Sequence, residues 1–362
     1  MKTTYIASAA FEAARSVSIL SENHRSRRLH GHSFLATIQC AMPSGLAPHA
    51  GGEIGVMKSR LATQVAKLDY SLLNEKLSVP TDENIARWVD THCYVPSMEL
   101  IGVQSTADEG VEIDMHGRAH VWRRYAFRSI RQLKGFPPGH FYGQRHSHRF
   151  EVILQVNHQI GEGDISVDYD YLDTCWEPVR KKLDHASLND ISGLSDPSSE
   201  SLVRWIWTRL KSQIHDLSRV TLYETSTCGV GFDGVKFQIW NEFKFNCAVK
   251  LEGTADVGAQ SNVQHQSYVL RLYFVLPPEQ LLNLSVANGG VQEALGPLIQ
   301  QLDRRAVYEI PDLIDSTTAS IATWIFKKVH AELPHVDRVD LFESRGCGVI
   351  VSAGSRDTIL PV

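Results

Sequence analysis

Leu68-Asp69-Tyr70-Ser71-Leu72-Leu73-Asn74 returns as Leu183-Asp184-His185-Ala186-Ser187-Leu188-Asn189, 115 positions later. A worn third copy opens at Leu302-Asp303-Arg304, a further 119 positions on. Landmarks on either side keep the same step. Downstream, Trp88, Trp205 and Trp324 recur. Upstream, His30-Gly31-His32-Ser33-Phe34 aligns with His146-Ser147-His148-Arg149-Phe150 and, less closely, with Gln264-His265-Gln266-Ser267-Tyr268. Several landmarks held at one spacing define an internal repeat. The 362 residues therefore read as three tandem units, 1–118, 119–234 and 235–362.

Each unit opens on alternating apolar positions, as in Ser33–Cys40, Arg149–Asn157 and Ser267–Val275, which predict half-buried strands. Helical signals follow. Pro197-Ser198-Ser199-Glu200 is a cap-like start before Leu202, Val203, Trp205, Ile206 and Leu210, which share one helix face, and Pro80-Thr81-Asp82-Glu83 starts the matching helix of the first unit. A short strand pair closes each unit, around Val220–Glu224 and Val339–Glu343. The order strand-strand-helix-helix-strand-strand predicts an α+β unit, a four-stranded antiparallel sheet with two helices on one face. Open sheet edges invite pairing, so three such units in one chain are expected to close a twelve-stranded barrel. The three tryptophans read as core.

Composition narrows the function classes. Charged residues make up 21% and hydrophobic residues 43%, the balance of a folded globular chain. The net charge of −5 gives no support to a nucleic-acid or membrane-surface partner. No run of 18 apolar residues is present, and Glu12 and Arg15 interrupt the place where a signal peptide has its apolar core. The six cysteines are scattered without a CxxC pair, which argues against a thiolate zinc knuckle or disulfide framework. A cytoplasmic location is expected.

With these motifs in order, the chain resembles the 6-pyruvoyltetrahydropterin synthase and 6-carboxytetrahydropterin synthase family of the tunnelling (T-fold) superfamily. The second unit carries the resemblance best, through Val167-Asp168-Tyr169, the run from Leu183 to Asp190, Pro197 to Trp207, and Tyr223-Glu224-Thr225. The first unit adds Phe11 to Ala14 and Arg28 to Phe34; the third match is weak. The resemblance implies trimers of such units stacked in pairs, so this chain is expected to be a fused trimer that pairs into a homodimer. It also implies a pterin or purine-like small-molecule ligand.

The resemblance further implies a zinc ion held by three histidines. His30 and His32 match two of them, as do His146 and His148, but the first ligand position holds Arg15, Arg131 and Val249 in the three units. A guanidinium stays protonated and does not ligate a metal, so Zn2+ is an open possibility and no unit keeps the full set. The family's proton-transferring cysteine is replaced by Ser26 and Tyr142, and its Asp-His dyad survives whole only as Asp184-His185. Its pterin-anchoring glutamate is matched by Glu224 and Glu343, with Gln104 aligned in the first unit. His24 and His140, each six residues before a histidine pair, are candidate third ligands, and Arg15 and Arg131 are candidate anion-binding groups.

Plainer readings stand beside these. The alternating histidines suit a polar strand face, and an aspartate before an exposed residue suits a helix end. Two functions follow from different classes. One is a pterin-forming lyase acting on a 7,8-dihydroneopterin triphosphate-like substrate, using Asp184, His185 and Tyr142 for proton transfer, Glu224 and Glu343 for the ring, and a modified metal site. The other is a catalytically inactive pterin- or purine-binding barrel.

Overall fold

A computed structural model describes residues 1–41, 45–160, 163–250, 263–276 and 290–354. The first unit contributes β1 (Lys2–Arg15), β2 (His30–Ala41), α1 (Glu53–Val65), the two-residue β3 (Ser71–Leu72), α2 (Asp82–His92), β4 (Met98–Thr106) and β5 (Glu109–Asp114). The second contributes β6 (Arg118–Arg131), β7 (His146–Gln159), α3 (Tyr169–Leu183), α4 (Ser199–Leu210), β8 (Leu217–Thr225) and β9 (Cys228–Phe232). The third contributes β10 (Phe237–Lys250), β11 (Val263–Leu276), α5 (Gly290–Leu302), the short β12 (Arg305–Ala306), α6 (Thr318–Glu332), β13 (Val336–Ser344) and β14 (Cys347–Ser352).

The twelve long strands close into one antiparallel barrel. The sheet runs β11-β13-β14-β1-β2-β4-β5-β6-β7-β8-β9-β10, and β10 pairs back onto β11. Units meet where β5 pairs β6, β9 pairs β10 and β14 pairs β1. Closure removes every edge among these strands, as the open-edge argument requires. The six helices lie outside. Their buried faces and one face of the sheet form two apolar clusters, one spanning units one and three and the other built on unit two. Trp205 and Trp324 are buried in these clusters and Trp88 packs partly buried against the first. Thr81, Ser198 and Thr317 cap α2, α4 and α6, each side-chain oxygen accepting the N–H three residues on.

The repeated Leu-Asp motif is a clasp. Its aspartate accepts a backbone N–H from the first strand of its unit: Asp69 from Glu12 at 2.8 Å, Asp184 from Arg128 at 3.0 Å and Asp303 from Asn246 at 2.9 Å. The next residue, Tyr70, His185 or Arg304, adopts φ of 46°, 58° or 58° and donates its own N–H to the same strand residue's carbonyl. Asn74 and Asn189 then bond both N–H and C=O at the strand ends, on Ser16 and Gln132. Buried Leu68, Leu183 and Leu302 anchor the clasp in the outer core. The aspartate thus has a backbone role in all three units, whatever residue follows it.

The inward face is polar and aromatic. Gly110, Gly229 and Gly348 stand opposite Trp122, Trp240 and Ile6 at the three unit joints. A Cβ on Gly110 would meet the Trp122 ring at 2.7 Å, and one on Gly229 would meet the Leu222 carbonyl at 2.3 Å, so the joints require glycine for close approach. Trp122, Tyr223, Trp240, Tyr273 and Ile153 form a cluster of their own on this face. Beside it Arg271 pairs with Glu242 and Arg338 with Asp340.

Glu112 on β5 is buried, its Oε2 has no hydrogen-bond partner, and burial pushes its carboxyl up to about 8. The folded state holds a proton there that the unfolded chain releases near 4.5. Stability is therefore expected to fall as pH rises from about 4.5 to about 8, by at most about 1.4 kcal/mol per pH unit. Glu112→Gln should flatten that limb and leave the variant more stable than the parent at alkaline pH. Urea midpoints at acid, neutral and alkaline pH check this; parallel curves for the two proteins would refute it.

Candidate functional site

The strand register fixes which residues are equivalent. Arg15 pairs with His30, Arg131 with His146 and Val249 with Gln264, so the two arginines end the first strand of their units and the valine lies one residue before the end of its own, beside the histidine motif or its glutamine replacement. At the other end of the site, one residue is left over in each closing hairpin: Ser105 between Gln104 and Thr106, Glu224 between Tyr223 and Thr225, and Glu343 between Phe342 and Ser344. These are β-bulges, which re-aim a side chain out of the ladder. The first-unit counterpart of Glu224 is therefore Ser105, a correction to the alignment that placed Gln104 there.

The bulge residue faces the first residue of the capped helix. Ser199 Oγ donates to Glu224 Oε2 at 2.5 Å, and Thr318 Oγ1 donates to Glu343 Oε1. In the first unit the chemistry is exchanged between the two positions: Ser105 on the bulge donates to Asp82 Oδ2 on the helix at 2.8 Å. One carboxylate and one hydroxyl are kept in every unit, and the carboxylate always lies at a helix N-terminus, where the dipole favours it.

In two units a buried arginine joins this pair. Arg131 and Glu224 have fully buried side chains, with NH2 2.6 Å from Oε1; Arg15 NH1 is 2.6 Å from Asp82 Oδ1. The same guanidiniums reach the histidines. Arg131 Nε donates to His146 Nε2 at 3.4 Å, and Arg15 NH2 lies 3.5 Å from His32 Nε2. His146 and His30 use Nδ1 to donate to the carbonyls of Gln144 and Arg28. His148 Nε2 donates to the Glu224 carbonyl at 2.5 Å, a bond Gln266 Nε2 reproduces on Glu343 at 3.3 Å. Burial and the Arg15 charge push His32 down to about 4, and burial with Arg131 pushes His148 down. Both imidazoles are neutral at neutral pH. Glu224 is held below the usual carboxylate range because Arg131, with Ser199, outweighs its burial.

This arrangement does not fit a zinc ion on the histidine pairs. In unit two both Nε2 atoms are engaged, one by a guanidinium N–H and the other as donor to a carbonyl. A cation at that point would sit against a fixed positive charge. His24 does not complete a set with His30 and His32. Its Nδ1 accepts the Ser26 N–H at 3.1 Å, and its Nε2 lies 2.8 Å from Asp170 Oδ2 and 3.7 Å from Asp168 Oδ1. The nearest acidic groups to it are thus two aspartates of the second unit. His140 has the matching cap role, accepting the Tyr142 N–H.

The remaining expected residues are placed as follows. Tyr142 stands beside Glu224 with the Arg131 guanidinium 5.6 Å from its ring centre; burial, with the neighbouring carboxylate, pushes its phenol up to about 12. His185 is exposed, and its Nε2 is 3.8 Å from Asp184 Oδ1, whose acceptor is taken by the Arg128 N–H. Arg180 holds the other Asp184 oxygen at 3.0 Å. Glu343 is half-buried, has no cationic partner among the described residues, and is pushed up by burial.

A cavity of about 460 Å3, a size suited to a small heterocycle, lies between units one and two and brings the expected Arg15, His24, His30 and His32 together with residues given no site role from the sequence. Its floor carries Arg15, Asp82, Glu83 and Glu109, all buried. The second unit supplies Tyr169, whose hydroxyl donates to Asp82 Oδ2 at 2.9 Å, and Arg123, paired with Glu109 and Asp173. Ser166 donates both N–H and Oγ to Glu83. Burial pushes the Glu83 and Glu109 carboxyls up. Glu109 occupies the position that Cys228 and Cys347 hold in the other hairpins, a departure visible in the sequence once the repeat is aligned.

The family model for 6-pyruvoyl tetrahydropterin synthase matches three times, over residues 5–102, 119–234 and 238–353, and the chain belongs to that family. Among solved structures, 6-pyruvoyl tetrahydropterin synthase from Caenorhabditis elegans is 18% identical, the match covering 32% of this chain and 96% of that one with a TM-score of 0.30. The Plasmodium falciparum enzyme is 16% identical over 32% and 97%, with a TM-score of 0.26. Urate oxidase from Bacillus sp. TB-90 is 10% identical over 75% and 97%, with a TM-score of 0.30.

Removing Arg131 leaves Glu224 buried without its cation, which typically costs about 3–5 kcal/mol. Arg131→Met should lower the denaturation midpoint sharply, and adding Glu224→Gln should recover a large part of the loss. Equal destabilisation by the single and double variants would show that the pair is not coupled.

Proposed function

We propose that this member of the 6-pyruvoyl tetrahydropterin synthase family binds a pterin- or purine-like ring without a zinc ion on its histidine pairs, and that it is a binding barrel rather than a zinc-dependent lyase. One observation carries the reading: the buried Arg131 guanidinium hydrogen-bonds His146 Nε2 and ion-pairs Glu224. The nitrogen that would ligate the metal and the carboxylate that would anchor the ring are engaged by one side chain. Arg15 does the same between His32 and Asp82. The ring site is assigned to the cavity between units one and two, where Asp82, Glu109 and Arg15 present acceptors and donors for the polar edge of a nitrogen heterocycle.

In the lyase reading Asp184 would orient His185, and the family's zinc would polarise a substrate oxygen. Here Asp184 serves the strand backbone and His185 stands in solvent, so the same residues support a binding role better than proton transfer.

Two measurements test the proposal. Mass spectrometry of untagged protein should find well under one zinc per chain, whereas Arg131→His, which supplies a third imidazole beside His146 and His148, should raise zinc toward one per chain with the circular dichroism preserved. Titration with 7,8-dihydroneopterin should show binding that His185→Ala leaves intact and Asp82→Asn weakens. Stoichiometric zinc in the parent, or zinc-dependent turnover lost in His185→Ala, would overturn it.

A further inference from the structure

The charge balance of the cavity between units one and two selects among ligands. Six carboxyl groups line it against three guanidiniums. Each of the three already faces a carboxylate. Arg15 is paired with Asp82, Arg123 with Glu109 and Asp173, and Arg25 lies 3.3 Å from Asp170 Oδ1. Arg25 is exposed, but swinging it away would bare Asp170. The wall that the second unit contributes is acidic, with Asp168 and Asp170 beside His24, and the first unit adds Asp108 from the β4–β5 turn. His24 Nε2 lies 2.8 Å from Asp170 Oδ2 without forming a hydrogen bond, so the group an incoming anion would meet there is flanked by carboxylates.

We propose that this cavity takes a phosphate-free nitrogen heterocycle bearing amino groups, neutral or cationic, and rejects its triphosphate ester. The proposal rests on the ring-binding reading above and sets the substrate class within it. A triphosphate tail would bring several negative charges against a carboxylate-rich wall whose cations are already paired, and like-charge juxtaposition in a partly enclosed site weakens binding. Amino groups of a ring meet the opposite situation. The buried Asp82 faces the cavity as an acceptor, and the buried Glu83 and Glu109 carboxyls line the same floor with further acceptor oxygens. The rejecting element is built from aspartates of unit two, so it depends on two units meeting and is absent from either alone.

The test is isothermal titration of the full chain with 7,8-dihydroneopterin and with its 3′-triphosphate, first in chelator and then with magnesium added. The expected result is binding of the unphosphorylated ring with the triphosphate at least about tenfold weaker, a gap that narrows as salt screens the repulsion. The double variant Asp168→Asn with Asp170→Asn should tighten the triphosphate; asparagine at 168 keeps the cap of α3, which Asp168 forms by accepting the Asp170 N–H. Equal or tighter binding of the triphosphate, with or without magnesium, would overturn the proposal while leaving ring binding in place. Binding of neither compound would overturn the ring-binding reading and this inference with it.

Discussion

The antiparallel pairing of the units across β5–β6, β9–β10 and β14–β1 is the constraint on which the molecule depends. A four-stranded sheet covered on one face has two edges of unpaired backbone groups, and each unit satisfies its edges only with the next. Closure then fixes which side chains meet. The second helix start of one unit, its closing hairpin, and the first strand and first helix start of the following unit are brought to one junction. The cavity between units one and two is such a junction, with Asp82 and Ser105 from one side and Tyr169 and Arg123 from the other.

Within that frame, local chemistry is conserved in kind rather than in residue. A hydroxyl and a carboxylate face one another at each helix start, carried by Ser199 and Glu224, by Thr318 and Glu343, and in reversed order by Asp82 and Ser105. The backbone geometry accounts for the tolerance: the bulge and the first helical position point their side chains at one another, so either can carry the charge at the helix N-terminus. The arginines have the same logic. A guanidinium at the end of the first strand reaches both the carboxylate and an imidazole, so one side chain fixes a positive charge between the two.

The fold was legible because repetition supplies several independent rulers, and the strand and helix periods agree with them. The motif from Leu183 to Asn189 was recognisable as a repeat, but its physical meaning was not. Only three-dimensional pairing shows Asp184 accepting the Arg128 N–H and Asn189 bridging Gln132. The arginines were visible at the lost-ligand positions, yet an alignment cannot show that they turn inward to carboxylates of their own unit. The bulges displaced the comparison by one residue and hid Ser105 behind Gln104. Asp82 was legible only as part of a helix start and Tyr169 only as part of a motif, and Glu109 not at all, because the site role of each emerges when two units approach.

The fusion of three units has a consequence for symmetry. In an assembly of identical subunits, a substitution appears at every junction at once, and a charge exchange such as Asp82 with Ser105 would be imposed on all three. A single chain releases that restriction. Each junction is written separately, so one can carry acidic walls, another can bury its arginine without solvent, and the third can dispense with the cation by placing Val249 there. The barrel keeps a threefold backbone while its junctions hold three different chemical addresses.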